Sequence, residues 1–425
     1  MTMKEVFLHY IWKLNQFSHK NLQTFHGDFI EIVKVGKLNH HAGPDFLEAE
    51  IIIGDKLWIG SVEMHVNSSD WNIHQHSDDI AYQNVILHVV WNHDREVDIL
   101  RQRNVQTLIL QDFVKPEIIF NYQNIINSKL DKIYCEEFLD LIDLKQFSFW
   151  FERILIERFE EKTQIVLEIL NQNNSNWEET LFKSLAKNFG LKVNVETFEI
   201  WANSFPFKVL QKIQFDRLKV EALFFGQAGF LVENHENDYF KQLKNEYQFL
   251  ENKYQLQPIE NSLFRFSKMR PIGFPTIRLA QLASIYVNYQ SLFSEIIQPK
   301  NLKEFYEIFG KLELNSFWET HYTFKNESKL QLKNLSKDKI NNLLINSFIP
   351  IRYAFERQKD EVEIDFYLDL LTEMEAENNS ILDEFERIGF ENKNAKDSQQ
   401  LIQLKKRYCS EKKCLNCAIG QQILR

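Results

Sequence analysis

The chain has 425 residues, 44% of them hydrophobic and 26% charged, and a formal net charge of -10. That length exceeds what one hydrophobic core usually serves, so two or three domains are expected. The acidic balance speaks against a protein that grips nucleic acid with a broad basic face, though it leaves a local basic groove open.

No run approaches about 18 uninterrupted apolar residues, so no membrane span is expected. The N-terminus, MTMKEVFLHYIWKLNQF, carries charges within its apolar run and lacks the core of a signal peptide. Four cysteines are too few for a disulfide framework. A reducing, cytoplasmic setting is the expectation. Only 12 glycines and 8 prolines interrupt the chain, which favours long helices over many tight turns.

In chain order, residues 3–15 fit an amphipathic helix with Val6, Tyr10 and Leu14 on one side. Segments 28–35, 45–53, 57–66 and 85–92 alternate or run apolar between turn signals at Gly36, Gly54-Asp55 and Asn67–Asp70, and read as strands. Residues 97–101 and 106–111 suggest a further hairpin, and Lys115-Pro116 marks a boundary. Helical spacing follows over 117–130, 144–171, 177–188, 194–204, 237–256, 275–292, 301–312, 336–347 and 361–388, with prolines between as breakers. No repeat period of a common solenoid emerges.

The expected class is α+β. A mixed α/β domain with a sheet of about four to six strands would span 1–115. A mainly helical region would follow over 116–400, then a cysteine motif over 401–425.

The chemistry concentrates between Gly43 and Trp91. Ten of the 12 histidines precede residue 94, and a structural histidine has no reason to favour one quarter of a chain. Glu63 and His65, two apart on a strand, share a face. A three-residue loop Gly54-Asp55-Lys56 would set Asp45 opposite His65 and gather Leu47, Ala49, Ile51, Ile53, Leu57 and Ile59 on one apolar side, whereas a two-residue loop would move Asp45 to the other face and mix that pattern. Asp45 and Glu63 would then hold Mg²⁺ or Mn²⁺ through oxygen, with His65 orienting a water. The plain alternative is a set of edge-strand charges.

The order helix, strand, Pro44-Asp45 opening a strand, and Glu63-Met64-His65 on the next resembles the PD-(D/E)xK nuclease core. That resemblance implies metal binding by Asp45 and Glu63 and a water-assisting role at position 65. There the superfamily has Lys, and this chain has His65.

Further on, His74 and His76 converge if they lie on a strand or loop, and with Asp78 offer nitrogen and oxygen ligands for Zn²⁺, Fe²⁺ or Mn²⁺. Alternatively they donate to substrate phosphates, or form a plain polar loop. His88 sits inside an apolar strand and reads as a core residue. Lys268, Arg270 and Arg278 flank a helix start near Pro275 and would suit a phosphate backbone, or are solvated charges. LFFGQAGFLVEN reads as a packing turn around Gly226 and Gly229.

Near the C-terminus, Cys409, Cys414 and Cys417 have a chelating spacing for Zn²⁺ or an Fe–S cluster, with Cys135, the one other cysteine, or a distant His as fourth ligand. Reduced, metal-free thiols are the alternative.

AGPDF (42–46), GSVEMH (60–65), SSDW (68–71), VILHVV (85–90), FFGQAGF (224–230), FPTIRLAQLA (274–283) and the cysteine motif together resemble an uncharacterised bacterial family, domain of unknown function 2851. The resemblance runs in order over nearly the whole chain and brings no activity with it. The leading expectation is therefore a metal-dependent phosphodiester hydrolase acting on nucleic acid. The rivals are a noncatalytic binding or scaffold protein with a degenerate nuclease-like domain, and a different His/Asp metal enzyme.

Overall fold

A computed structural model describes residues 3–39, 41–127, 133–310 and 312–424. His40, residues 128–130 of one expected helix and Lys311 of another lie outside the described residues. The chain divides into two units: residues 1–150 with 403–425, and residues 151–402. The boundary expected near Lys115-Pro116 falls inside the first unit, which also takes in the three C-terminal cysteines.

The first unit is built on one mixed sheet, with strands β1 (Ile30–Lys34), β2 (Lys37–Leu38), β3 (Phe46–Ile53), β4 (Lys56–Asn67), β5 (Val85–Asn92) and β6 (Gln106–Ile109). The order is β1-β3-β4-β5-β6, with β2 also pairing with β3. The first pairs are antiparallel, and β4, β5 and β6 run parallel to one another. Parallel neighbours need a crossover rather than a tight turn. Residues 68–84 supply the first crossover.

The second crossover corrects an expectation. Residues 97–101 do not form the first arm of a hairpin, because Asp98–Gln102 is a short helix feeding a parallel β6. Between two parallel strands the chain must reverse, and that reversal overrides the β-branched character of Val97 and Ile99.

The β3–β4 hairpin also departs from its expected register. Ile53 pairs with Lys56 across a two-residue Gly54-Asp55 turn, and Ile51 faces Trp58. Leu57 and Ile59 therefore share a face with Ile52 and Glu50 and are exposed, not part of an apolar side. A bulge then slips the pairing, so that Phe46 faces Val62. Within it Glu48 takes a left-handed φ of 57°, as extra residues in a bulge do. Asp45 consequently arrives beside Glu63 rather than opposite His65.

Alternation along β4 now separates two environments. Val62 and Met64 enter a core with Leu87, Val89 and Leu108, closed by helix α1 (Glu5–Lys13) through Phe7, Leu8, Ile11 and Trp12. Val6 of the expected helix face is exposed instead. Glu63 and His65 turn to the opposite face. The 70–105 segment covers it there with a small core of Trp71, Tyr82, Val85, Val97 and Leu100.

The second unit is helical. Its centre is helix Pro275–Asn288, buried on every side from Pro275 to Tyr286, as befits a helix with no solvated stripe. The FFGQAGF motif packs as expected: a Cβ on Gly226 would sit 2.0 Å from the Tyr247 ring, so only glycine lets these helices approach. The expected helix over 361–388 is two, Ile364–Glu373 and Ser380–Arg387.

Candidate functional site

Three strands, α1 and the 70–82 loop bring five histidines and three carboxylates together. Asp45, just ahead of β3, donates its N–H to Glu63 Oε2 (3.1 Å), and its Oδ2 accepts from the Met64 amide (2.9 Å). The two carboxylates are thus locked side by side by main-chain bonds. His9 reaches in from α1, with Nε2 3.2 Å from Asp45 Oδ2.

His65 stands at the centre. Its Nδ1 is 3.0 Å from His88 Nε2 on β5, and its Nε2 is 3.2 Å from His74 Nδ1. Glu63 Oε1 lies 3.6 Å from His65 Nε2 and 3.2 Å from His76 Nε2. Among the described residues, His65, His74 and His76 are the one set of three whose ligand atoms all lie within 4.8 Å of one another.

The loop that delivers His74 and His76 is set by local bonds. Asp70 Oδ2 accepts from the Asn67 amide (2.8 Å), which starts a short helix over Asp70–Ile73. Gln75 adopts a left-handed φ of 59° and turns the chain so that His76 points back inward. Tyr82 stacks on His76 with ring centroids 3.8 Å apart, and Trp71 closes edge-on over His65, His76 and His88.

Burial sets the electrostatics. It pushes His65 down to about 3, helped by the neighbouring His76 and His74, and holds His88 well below the usual range. Both rings are therefore neutral imidazoles at neutral pH, the form that ligates metals. Burial, and then the negative charge of Asp45, pushes Glu63 up to about 9. Like charges that close, in low dielectric, do not both ionise without a cation.

The donor set fits a transition-metal ion. Metal–ligand bonds of about 2.0–2.1 Å at tetrahedral or octahedral angles give ligand–ligand edges of roughly 3.0–3.4 Å; His65–His74 and Glu63–His76, both at 3.2 Å, fall in that range, and Glu63–His65 at 3.6 Å is longer, so the three histidines form the tight set and Glu63 borders it. His76 Nε2 is a buried atom without an aligned hydrogen-bond partner even though Glu63 Oε1 is near. If His65 presents Nε2, its Nδ1–H donates to His88 Nε2, which orients the ring from behind.

The two constellations separated by sequence thus merge, with Asp45, Glu63, His65, His74 and His76 in one place. Asp78 stays exposed outside the metal-ligand set. His88 is a buried core residue that also backs His65. Arg270 is exposed before the Pro271–Gly273 turn, while Arg278 is buried and donates through Nη1 to Gln281 Oε1 (2.7 Å).

Glu5 and His9 were missed. They sit four apart on α1, and Glu5, half-buried, is pushed up by burial and feels the charges of His74, Asp45 and His9. Their i, i+4 spacing was the available signal, since it places both on one helical face.

A family model described as protein of unknown function (DUF2851) matches residues 5–380. The chain belongs to this family. The matched range holds the whole histidine–carboxylate cluster and Cys135, and it ends before Cys409. No curated protein and no solved structure matches the chain. No described helix is long and apolar enough to cross a membrane.

Proposed function

We propose that this DUF2851 protein is a metal-dependent hydrolase, acting on phosphodiesters of nucleic acid at the Glu63–His65–His74–His76 pocket. The observation that carries the reading is the convergence of His65, His74 and His76, whose ligand atoms all lie within 4.8 Å of one another, with Glu63 Oε1 3.2 Å from His76 Nε2 and 3.6 Å from His65 Nε2. A bound Zn²⁺ or Mn²⁺ would supply Lewis-acid polarisation of a phosphoryl oxygen and acidify a water.

The chain's own groups have separate tasks. Glu63, His65, His74 and His76 provide the donor atoms. Asp45, anchored by the Met64 amide, adds negative charge that draws a cation in. His9 and Glu5, one turn apart on α1, present an imidazole and a carboxylate that can take a proton from an attacking water or return one to the leaving oxygen.

The resemblance to the PD-(D/E)xK core supports the phosphodiester assignment through the same order of helix, Asp-bearing strand and Glu-bearing strand. His65 differs from the Lys of that pattern. Enclosed between His74 and His88, it suits a ligand better than a water-positioning base.

The test is hydrolysis of bis(p-nitrophenyl) phosphate and of labelled single- and double-stranded DNA and RNA by purified protein with Mn²⁺, Zn²⁺ or Mg²⁺. Metal-stimulated cleavage that disappears in both Glu63→Gln and His74→Ala is expected. Cleavage unaffected by either substitution, or wild-type protein that binds metal and cleaves none of these, overturns the assignment.

A further inference from the structure

We propose that Cys135, Cys409, Cys414 and Cys417 together hold a [4Fe–4S] cluster. These are the four cysteines of the chain, and they come from two stretches more than half the sequence apart. All four nevertheless line a single narrow cavity of the first unit, among apolar and aromatic neighbours that include Tyr134, Leu404, Tyr408 and Ile419. The space left between them is small, about 20 Å³. Free thiols with only a packing role have no reason to converge this way.

Spacing speaks against a single-ion site. A tetrahedral ZnS₄ site with bonds of about 2.3 Å brings every pair of sulfurs to about 3.8 Å. Among the described residues, which include all four cysteines, no three of these sulfurs lie within 4.8 Å of one another. A cubane binds each thiolate to its own corner iron and so spreads the four sulfurs farther apart than one ion does.

The surroundings fit the same occupant. The Ile419 and Gly420 amides donate toward the Cys417 sulfur, and N–H···S bonds of this kind steady and tune cluster thiolates. A Cβ on Gly420 would sit 2.2 Å from the Cys414 carbonyl oxygen, so glycine is what lets the 414–420 loop close. Burial pushes Cys135 up to about 12 and Cys417 up to about 11. Left alone, such thiols stay protonated and inert. Loading the cluster exchanges four S–H bonds for four Fe–S bonds and releases four protons to solvent, with two ferrous ions, two ferric ions and four sulfide ions as co-reactants, so that no further oxidant is needed. The cluster would tie Cys135 to the 409–417 segment.

The test is metal and sulfide content of full-length protein purified without oxygen from iron-replete cells, or reconstituted with equal ferrous and ferric salts and sulfide. The expected result is about four irons and four sulfides per chain, with a broad absorbance near roughly 400 nm that bleaches on dithionite reduction. Cys417→Ser is expected to lose most of that iron. Should that variant fail to fold, exposure of wild-type protein to air decides the same point: loss of the absorbance with release of sulfide is expected. One zinc per chain without iron or sulfide overturns the proposal, as does metal-free protein whose four thiols are all alkylated and which takes up no iron. These counts are independent of any hydrolysis assay.

Discussion

The histidine pocket and the cysteine cavity, both in the first unit, are two answers to one problem. In each, burial drives groups such as His65 and Cys417 to their neutral forms, and it does so in opposite directions. Desolvation lowers His65 and His88 and raises Cys135 and Cys417. A neutral imidazole is already a ligand, whereas a neutral thiol must first lose its proton. The histidine pocket is therefore poised for exchange at neutral pH, with Glu63 as its proton-holding member. The cysteine cavity commits only when a cluster displaces its protons. A working site and a structural tie can be told apart by this difference in readiness.

Glu63→Gln bears hardest on that contrast. It keeps the shape of the pocket and removes its anionic donor, and metal-dependent hydrolysis is expected to fall by about 10³-fold or more, since a bound metal contributes several kcal/mol to such a reaction. The iron content of the cysteine cavity should not change. A steady-state assay with parallel metal analysis checks both halves.

His88→Phe is the next largest. It leaves the ligands and removes the ring behind His65, so metal affinity at the histidine pocket is expected to drop by about 10–100-fold, as read by calorimetric titration. Unchanged affinity would make His88 a core residue and nothing more.

On the other side of the comparison, Gly420→Ala forces a methyl group against the Cys414 carbonyl. Overpacking of this kind costs about 1–3 kcal/mol, so a lowered melting temperature and reduced cluster content are expected, with affinity at the histidine pocket unaltered.

The smallest effect is a pH slope. The folded state holds Glu63 protonated up to about 9, well above its ordinary value near 4.5. A raised pKa of this kind stabilises the fold fully below the ordinary value and loses that stabilisation as pH rises toward 9. His65, pushed down to about 3, acts oppositely and only below about 6.5. Between pH 7 and 9 the metal-free protein should therefore lose stability in wild type and hold a flatter profile in Glu63→Gln. Denaturant melts across that window check the sign.

Much of the sheet was legible, because β1, β3, β4 and β5 alternate or run apolar between Gly and Asn-Asp turns. The register was not. A two-residue turn followed by a bulge at Glu48 leaves no mark in periodicity, and it is the bulge that carries Asp45 to Glu63. The β6 crossover was misread because Val97 and Ile99 favour strands locally, while the parallel partner demands a reversal.

Glu63 and His65 on one face followed from period two. The descent of His74 and His76 onto them depends on the left-handed Gln75, and no pattern announces that. Glu5 and His9 had a helical signal that went unused. Cys135 joined the C-terminal cysteines on residue count alone, since nothing local marks it.

Divalent-metal titration of the purified protein and its variants tests the central claim most directly. A single Mn²⁺ or Zn²⁺ pocket built from both carboxylate and histidine donors predicts that tight binding is lost in Glu63→Gln and in His74→Ala alike. Binding that vanishes in Asp45→Ala yet survives His74→Ala would contradict it, because the carboxylates would then form a site of their own and the histidines would not belong to it.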